Sequence, residues 1–464
     1  MIDQTKFLSI FREYDIRGIV GPDLNAEFAF QLGQGYGSWI QEAATYTGGS
    51  IVIGYDGRLS SPMLKDFLAK GIASTGLDVI IIGLGPTPML YYAVHNLQAA
   101  GGIMITGSHN PPDYNGFKIM QDKKALYGAD IKQIGERILK GDFKEGDGRI
   151  SQLSVVNGYI LELEDAFQPH NQKKLKIVWD PGNGATGDIV KELLENLPGD
   201  HILINEKIDG TFPAHHPDPA ILKNLQQVID LVLSKKADIG FAFDGDGDRV
   251  GIIDDEGEVL WGDQILLLLS RYLLEEEPGA TIIADVKASQ SLFDDIKAHG
   301  GNPLMWKTGH SLVKAKMKET GALLGGEMSG HIFFAHRYYG FDDGVYAAVR
   351  FMEMLADSGQ KLSDLRKSLP KVINTPELRF DCADEIKFEI ITNVQKSLKD
   401  QSIKFNDVDG LRVSNKDGWF LLRASNTQPA LVARVESSND EGLQRLTAML
   451  QKELKGQGLE LPTL

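Results

Sequence analysis

The sequence predicts an α/β protein in which three related α/β domains and a smaller C-terminal α+β domain surround a central cleft. An apolar strand that passes through a polar or glycine turn into a helix occurs three times, in SIVIGYDGRLSSPMLKDF, LKIVWDPGNGATGDIVKEL and TIIADVKASQSLFDDI. Each copy is followed by a second strand and loop: GGIMITGSHNP, ADIGFAFDGDGDR and GALLGGEMSGH. Such repetition indicates related α/β units. Because parallel strands present ligand groups at their carboxyl ends, we expect the three second loops to face one cleft.

The domain boundaries follow from the chain length and from the spacing of the copies. The 464 residues exceed one ordinary domain, and the copies begin near residues 50, 175 and 281. We therefore expect α/β domains at residues 1–153, 154–256 and 257–369 and the α+β domain at residues 370–464. In the last domain we predict a helix near 384–398, short strands near 410–412, 419–423 and 431–435, and a terminal helix.

Composition favours a cytoplasmic protein that acts on a small molecule. The chain has 64 acidic and 48 basic residues, and its formal net charge of -16 disfavours nucleic acid and anionic membranes as partners. Cys382 is the only cysteine, so an internal disulfide is excluded. The N-terminus lacks the apolar core of a signal peptide, and no apolar run reaches membrane-spanning length.

Ser108 is the candidate catalytic residue of the first domain. It lies in TGSHNPPDYNGFKIM, shortly after the apolar residues 102–105, where Gly107 and the pair Asn110-Pro111 end the strand. A hydroxyl held at such a turn can carry a phosphoryl group, whereas Asn-Pro also marks ordinary surface turns. This loop alone leaves both interpretations open.

The second loop is a candidate metal site. Asp244, Asp246 and Asp248 alternate with glycines after a predicted strand at residues 239–243, so three carboxylates can converge on a hard cation such as Mg²⁺ or Ca²⁺. An EF-hand is excluded because Arg249 stands where that loop requires glycine and a strand is predicted at residues 250–253. Asp-Gly repeats also occur in plain hairpin turns. Arg249 would balance part of the acidic charge.

Two further loops offer groups that suit a phosphosugar. GEMSGH supplies the carboxylate of Glu327, the hydroxyl of Ser329 and the imidazole of His331, which can hold sugar hydroxyls and move a proton. RASNT, at residues 423–427, combines a guanidinium group with small polar side chains that can surround a phosphate dianion. Both loops also have the composition of ordinary turns. Other basic groups in polar settings are Arg17, Lys118, Lys287 and His310.

Taken together, these motifs resemble the α-D-phosphohexomutase superfamily along the full chain, and specifically its bacterial phosphomannomutase/phosphoglucomutase group. FREYDIRG, TGSHNP with the later Lys118, DGDGDR, GEMSGH and RASNTQP occur in the order that this family shows. The resemblance implies four domains around a central active-site cleft and makes Ser108 the attacking serine. It also implies that Mg²⁺ is bound by Asp244, Asp246 and Asp248 and bridged to the phosphorylated Ser108.

The resemblance further implies which residues contact the substrate. Glu327 and Ser329 would hold sugar hydroxyls, and the phosphate-binding loop would consist of Arg423, Ser425, Asn426 and Thr427. The other cleft residues would be Tyr14, Arg17, His109, Lys118, Arg249, Lys287, His310 and His331, with Lys118 and His331 as candidates for proton transfer.

The implied activity is the interconversion of hexose 1-phosphate and hexose 6-phosphate, for mannose and/or glucose, through a phosphoserine enzyme and a hexose 1,6-bisphosphate. The expected cofactor is Mg²⁺, the expected activator is glucose 1,6-bisphosphate, and the protein is expected to be a monomer or a weak oligomer. Met328 and Asn426 favour hexoses, because phosphoglucosamine mutases tend to carry GEQSGH and a glycine at the latter position. Gln428 departs from the glutamate common in relatives. Alternatives are a phosphoglucosamine mutase, a phosphatase with a phosphoserine intermediate and a non-catalytic, metal-dependent phosphosugar-binding protein.

Overall fold

The structure is a computed structural model that describes residues 4–43, 46, 48–171, 173–426 and 428–462. The first domain contains α1 (Gln4–Ser9), β1 (Ile16–Ile19), α2 (Ala26–Glu42), β2 (Ile51–Tyr55), α3 (Ser61–Ala73), β3 (Val79–Leu84), α4 (Thr87–Asn96), β4 (Gly101–Ile105), β5 (Tyr114–Gln121), β6 (Lys124–Ala125), α5 (Ala129–Lys140) and β7 (Ile150–Gln152). The strands form one sheet in the order β1-β5-β4-β2-β3-β7, and β6 pairs with β5.

The second domain is built around a five-stranded sheet in the order β12-β11-β10-β8-β9. Its elements are α6 (Val156–Asp165), β8 (Lys176–Asp180), α7 (Gly187–Leu193), β9 (Asp200–Leu203), a 3₁₀ helix (Leu222–Leu225), α8 (Gln226–Lys235), β10 (Ile239–Phe243), β11 (Val250–Asp254) and β12 (Val259–Leu260). Strand β12 pairs with β11, so this sheet extends beyond the boundary expected at residue 256.

The third domain has a four-stranded sheet in the order β14-β13-β15-β16. Its elements are α9 (Gly262–Glu276), β13 (Thr281–Asp285), α10 (Gln290–Ala298), β14 (Asn302–Trp306), α11 (His310–Thr320), β15 (Leu324–Gly326), β16 (Ile332–Phe334), α12 (Gly344–Ser358) and α13 (Leu362–Lys367). None of the helices in the described part of the chain is long and apolar enough to cross a membrane.

The three sheets share one topology, which confirms the prediction of three related α/β domains. In each sheet a central strand, β2, β8 or β13, pairs in parallel with two neighbours. One of those neighbours, β4, β10 or β15, then pairs with an antiparallel strand that follows it in the chain. Strands β4 and β10 are buried along their whole length, as their small and apolar residues require in a sheet covered on both faces.

This shared topology positions three loops alike. The loop from β4 to β5 carries Ser108, the loop from β10 to β11 carries the three aspartates, and the loop from β15 to β16 carries Glu327 and His331. Each loop starts at the carboxyl end of a parallel strand, where α/β sheets present ligand groups. One hydrophobic core joins residues of all three α/β domains, and this packing holds the sheets against each other.

The fourth domain is an antiparallel α+β unit, as the change of sequence pattern predicts. It contains β17 (Ile373–Asn374), β18 (Leu378–Asp381), α14 (Lys387–Asp400), β19 (Phe405–Asn406), β20 (Leu411–Asn415), β21 (Gly418–Ala424), β22 (Ala430–Ser437) and α15 (Asp440–Lys455). Helices α14 and α15 contact each other and strand β21. Of the predicted phosphate-binding residues, Arg423 lies near the end of β21, and Ser425 and Asn426 lie in the loop between β21 and β22.

Candidate active site

Ser108 is buried and held in a strained backbone conformation. Its φ angle of 48° lies in the left-handed region, which costs a non-glycine residue roughly 1–3 kcal/mol. The backbone N–H of Ser108 donates to Thr106 Oγ1 at 2.8 Å, and its hydroxyl donates to Asp244 Oδ2 at 2.9 Å. His109 Nδ1 lies 3.1 Å from the same hydroxyl oxygen. The turn therefore directs the serine hydroxyl at the acidic loop of the second domain.

The acidic loop gathers three fully buried carboxylates, those of Asp244, Asp246 and Asp248. One oxygen of each lies within 4.8 Å of the others. The loop curls because Gly247 adopts a φ of 76°, and its N–H donates to Asp244 Oδ1 at 3.0 Å. Burial raises the pKa of Asp244 well above its ordinary value, and the charges of the other two aspartates raise it further.

These carboxylates fit a hard divalent cation. Among the residues that the structure describes, Oδ1 of Asp246 and Oδ1 of Asp248 are buried without a hydrogen-bond partner, which is costly for a polar atom unless a ligand satisfies it. Oxygen-only donor sets are the ones that hard cations such as Mg²⁺ prefer. Asp244, Asp246 and Asp248 are therefore the residues that would hold the metal predicted from the sequence.

The ammonium group of Lys118 bridges two of the three aspartates. It lies on strand β5 and donates to Asp246 Oδ2 at 2.6 Å and also to Asp248 Oδ2. Burial opposes its charge, but the two carboxylates outweigh burial and raise the pKa of Lys118. Thr87, at the start of α4, donates its hydroxyl to Asp246 Oδ2 at 2.5 Å. Both groups come from the first domain, so the acidic loop is docked against the domain that carries Ser108.

His331 lies between a cation and two carboxylates. Its Nε2 accepts a hydrogen bond from Arg249 Nε at 3.0 Å, while its Nδ1 lies 3.1 Å from Asp342 Oδ2 and 3.5 Å from Asp248 Oδ1. Because a guanidinium group can only donate, Nε2 carries the lone pair and the proton of a neutral ring is on Nδ1. The protonated nitrogen therefore faces the carboxylates.

Two other histidines predicted for the site, His109 and His310, are partly buried near positive charge. Burial and then the guanidinium of Arg249 hold the pKa of His109 well below its ordinary value, and burial and then Lys314 do the same for His310. The ring of His310 stacks on that of His331, with the centroids 5.6 Å apart. We infer that both His109 and His310 are neutral at pH 7.

Tyr14 joins the first, third and fourth domains. Its hydroxyl donates to the carbonyl of Thr308 at 2.8 Å and accepts from Asn426 Nδ2 at 2.6 Å. Next to Thr308, the N–H of Gly309 donates to Glu327 Oε1 at 2.5 Å. This network links Tyr14 and Asn426 to the loop that carries Glu327, and Ser329 is partly exposed in that same loop.

The loop after β21 is supported by ion pairs and by a buried lysine. Arg423 Nε donates to Asp409 Oδ2 at 3.0 Å, and Lys387 Nζ donates to the carbonyls of Ser425 at 2.5 Å and Gln428 at 3.0 Å. Gln428 accepts a hydrogen bond from Arg379 through its side-chain oxygen. Thr427 lies outside the described residues.

Direct contacts join several of the predicted site residues to one another, whereas Arg17 and Lys287 contact residues that were not predicted for the site. Arg17 Nη1 donates to Asn110 Oδ1 at 2.8 Å, beside the serine loop, and its guanidinium also pairs with Asp15. Lys287 Nζ lies 3.1 Å from Glu377 Oε2 and 3.8 Å from Asp285 Oδ2, so its positive charge is paired with carboxylates.

Sequence analysis missed several residues that hold this site together. Asp342, which faces His331, lies in a FDDG segment outside the repeat, and nothing in that segment distinguishes it from a helix cap. Arg58 and Asp56 lie in the loop of the first repeat copy, so comparison of the copies could have drawn attention to them. The remaining supports are Thr87, Lys387 and Asp409.

Comparison with known proteins shows which family the sequence matches. The sequence matches four families in succession, described as phosphoglucomutase/phosphomannomutase α/β/α domain I at residues 8–145, domain II at 157–257, domain III at 261–373, and the C-terminal domain at 377–453. A Pseudomonas aeruginosa protein named phosphomannomutase/phosphoglucomutase is 43% identical over 454 residues, which cover 98% of this chain and 97% of the relative. A Neisseria meningitidis phosphoglucomutase is 40% identical over 441 residues, or 94% of this chain and 95% of the relative.

A solved structure extends the similarity to the whole fold. The crystal structure of a phosphoglucomutase/phosphomannomutase family protein from Burkholderia thailandensis superposes with a TM-score of 0.92 at 40% identity and covers 100% of both chains. The family matches span all four domains, and the relatives align along nearly the whole length. The resemblance read from the motifs is thereby confirmed, and the chain belongs to the phosphoglucomutase/phosphomannomutase family of the α-D-phosphohexomutase superfamily.

Proposed function

We propose that this protein is a phosphohexomutase that interconverts hexose 1-phosphate and hexose 6-phosphate, with mannose and/or glucose as the sugar. One observation carries the proposal: the Ser108 hydroxyl lies 2.9 Å from Asp244, inside a buried cluster that also contains two more carboxylates and the ammonium of Lys118. A nucleophile, a cation site and a positive charge are the groups that phosphoryl transfer needs in one place. The relatives named phosphomannomutase/phosphoglucomutase support the same activity.

In the proposed reaction Ser108 carries the phosphoryl group. As the bond between its Oγ and phosphorus breaks, a bond forms between phosphorus and the free hydroxyl of the hexose phosphate, and a hexose 1,6-bisphosphate results. The hydroxyl proton leaves through His331 or Lys118 and ends on Ser108 Oγ, so the proton balance closes within the site. The bisphosphate then turns over and returns its other phosphoryl group to Ser108.

Charge in the transferring group is offset by neighbouring cations. When Mg²⁺ is bound by Asp244, Asp246 and Asp248, it supplies neutralisation of the phosphoryl oxygens next to Ser108. Arg249 and Lys118 add positive charge from the two sides of the acidic loop. Glucose 1,6-bisphosphate would serve as the activator, because it can phosphorylate Ser108 in an enzyme that has lost its phosphate.

The hexose 1,6-bisphosphate must bind in two orientations, so the site needs contacts that serve both of them. We assign the distal phosphate to Arg423, Ser425, Asn426 and Thr427, and the ring hydroxyls to Glu327 and Ser329. The groups expected to line the rest of the cleft are Tyr14, Arg17, His109, Lys287 and His310. Because water competes with the sugar for the phosphoserine, we expect the fourth domain to close over the bound phosphosugar.

The proposed setting is the cytoplasm, with phosphosugars as the partners and a monomer or weak oligomer as the assembly. The net charge of -16 supports small-molecule substrates over nucleic acid or anionic membranes. Met328 and Asn426 favour hexoses over hexosamines, because phosphoglucosamine mutases tend to carry glutamine and glycine at these two positions.

Phosphorus NMR tests the function directly. The purified protein is incubated with Mg²⁺, a trace of glucose 1,6-bisphosphate and, in separate samples, glucose, mannose or glucosamine 1-phosphate. We expect glucose or mannose 6-phosphate to appear. Faster conversion of the glucosamine compound would identify a phosphoglucosamine mutase, accumulating inorganic phosphate a phosphatase, and unchanged spectra in every sample a binding protein without turnover.

A further inference from the structure

Arg58 is a buried arginine beneath the serine loop, and it has no part in the mechanism described above. Its side chain, 1% exposed, reaches the loop from the turn after strand β2. Its Nη2 donates to the carbonyls of Ser108 at 2.8 Å and Asn110 at 2.6 Å. Its Nη1 donates to the carbonyls of Pro111 at 2.5 Å and Tyr114 at 2.9 Å. One guanidinium therefore binds four carbonyls of the seven-residue stretch that begins at Ser108.

Asp56 fixes this guanidinium from the other side. Its Oδ2 lies 3.2 Å from Arg58 Nε and also accepts the N–H of Gly107 at 3.1 Å. Its Oδ1 accepts the hydroxyl of Ser61 at 2.6 Å and the N–H of Arg58 at 3.0 Å. Asp56 and Arg58 together thus bind the backbone on both sides of the Ser108 N–H.

Gly107 shows how closely the guanidinium approaches the loop. A Cβ atom built on Gly107 would collide with Nε and Cζ of Arg58, so only glycine leaves room for the side chain. On its opposite side, the guanidinium lies 5.2 Å from the ring centroid of Phe212, which belongs to the second domain. Arg58 is therefore confined between the serine loop and the domain that carries the aspartates.

The internal repeat shows that this arrangement is particular to the first domain. Arg58 stands two residues after Asp56, and Lys287 stands two residues after Asp285, at the matching turn of the third domain. Lys287 reaches Glu377 of the fourth domain at 3.1 Å, whereas Arg58 turns under its own domain's loop. Residues at the same position of the two copies therefore make different contacts. Lys287 pairs with a carboxylate, whereas Arg58 binds loop carbonyls through the planar fork of its guanidinium group.

We propose that Arg58 is a positioning residue for phosphoryl transfer, which sets the place of the Ser108 hydroxyl by binding the carbonyls of its loop. The proposal rests on the proposed function of Ser108. Ser108 has a left-handed backbone, so its conformation persists only where surrounding bonds over-determine it. Without the fork, the loop can relax and displace Oγ from its line to the phosphoryl donor, and a displacement near 1 Å costs about 10²-fold in rate.

The test compares Arg58→Lys and Arg58→Met with wild type. Rapid mixing with glucose 1,6-bisphosphate and Mg²⁺, followed by intact-protein mass spectrometry, gives the rate at which Ser108 acquires phosphate. We expect a fall of about tenfold or more for Arg58→Lys, whose single ammonium cannot reproduce the fork, and a larger fall for Arg58→Met. The KM for glucose 1-phosphate should stay within about twofold, because the sugar and phosphate contacts lie on other loops.

Arg350→Lys is the matched control, because Arg350 is equally buried and also donates to a backbone carbonyl, that of His336. This variant should lose stability without slowing phosphorylation of Ser108 below its unfolding temperature. If Arg58→Lys acquires phosphate at the wild-type rate, or if it raises KM as much as it lowers kcat, the positioning role is wrong. If wild type neither acquires phosphate on Ser108 nor already carries it there, the proposed function fails instead. Arg58→Lys keeps the test decisive should Arg58→Met not fold.

Discussion

The Oγ atom of Ser108 lies 2.9 Å from Oδ2 of Asp244, although the serine follows a strand of the first sheet and the aspartate follows a strand of the second. Their two loops occupy the same place in two copies of one topology. The approach is so close that a Cβ on Gly245 would collide with the Ser108 carbonyl. Repetition of one α/β unit has therefore placed a nucleophile from one copy against the cation ligands of another.

Ser108→Ala should abolish interconversion of hexose phosphates, with a loss of at least about 10³-fold, because no other group would accept the phosphoryl transfer. Stability should fall by only about 1 kcal/mol, since one hydrogen bond to Asp244 is lost. The 6-phosphate formed is measured by phosphorus NMR and the fold by thermal unfolding. Ser151→Ala, which removes a hydroxyl from an edge strand of the same sheet, serves as the control. Retained activity in Ser108→Ala would refute its role.

Lys118 and a divalent cation should compete for the carboxylates of Asp246 and Asp248. Lys118→Met removes the ammonium that bridges this pair and should destabilise the metal-free protein by about 3–5 kcal/mol. Saturating Mg²⁺ should then raise the unfolding temperature of the variant more than that of wild type, because the metal then neutralises two carboxylates that no ammonium pairs with. Thermal unfolding in EDTA and in Mg²⁺ measures both gains. Equal gains would contradict this competition for the charge of the two carboxylates.

The sequence can predict those parts of the site whose residues lie together in a single loop. The three aspartates stand within five residues of each other and Ser108 follows closely on a predicted strand, so each loop could be recognised as a candidate, although the serine loop alone also fitted an ordinary turn. Arg58 and Asp342 act on groups that are distant in the chain, and no local pattern encodes such contacts. The short strands β17 and β19 were likewise not predicted, because two residues cannot show an alternating pattern.

Tyr14→Phe should weaken substrate binding more than it slows catalysis. The change removes the bonds from Tyr14 to the Thr308 carbonyl and from Asn426 to Tyr14, which join three domains beside the phosphate loop. Loss of about 1 kcal/mol corresponds to a rise of roughly fivefold in KM for glucose 1-phosphate, with kcat nearly unchanged. Steady-state kinetics measure both constants. Tyr92→Phe loses a hydrogen bond within helix α4 and should leave KM unchanged, which makes it the control. If wild type, Tyr14→Phe and Tyr92→Phe have the same KM, the hydrogen bonds of Tyr14 do not support substrate binding.

Lys387→Met should loosen the phosphate loop. Lys387 is buried and donates to the carbonyls of Ser425 and Gln428, and it also pairs with Asp384. Losing the hydrogen bonds from this buried ammonium costs about 1–3 kcal/mol, so we expect KM for glucose 1-phosphate to rise about tenfold. Lys399→Met alters a lysine at the far end of the same helix and is the matched control. Calorimetric binding of glucose 6-phosphate to both variants checks the result, and equal affinities would exclude this role for Lys387.

Asp343 predicts a specific dependence of stability on pH. This buried carboxylate caps helix α12 and accepts hydroxyls from Tyr159 at 2.8 Å and Tyr338 at 2.7 Å, yet burial outweighs these bonds and raises its pKa to about 6. In the unfolded chain the carboxyl group of Asp343 has its ordinary pKa of about 4. Between these two values the native state binds more protons than the unfolded state, so this residue's contribution to stability falls as the pH rises and levels off above about pH 6.

Asp343→Asn removes the titration and keeps an N-cap of similar strength. Relative to this variant, wild type should lose about 2 kcal/mol as the pH rises from about 4 to about 6, out of roughly 3 kcal/mol over the whole transition, since one pKa unit corresponds to about 1.4 kcal/mol. Urea unfolding of both proteins at pH 4, 5, 6 and 7 (approximate settings that bracket the transition) measures the difference in midpoint. A difference that is constant across this range, or that grows in favour of wild type with rising pH, would mean that folding does not raise the pKa of Asp343.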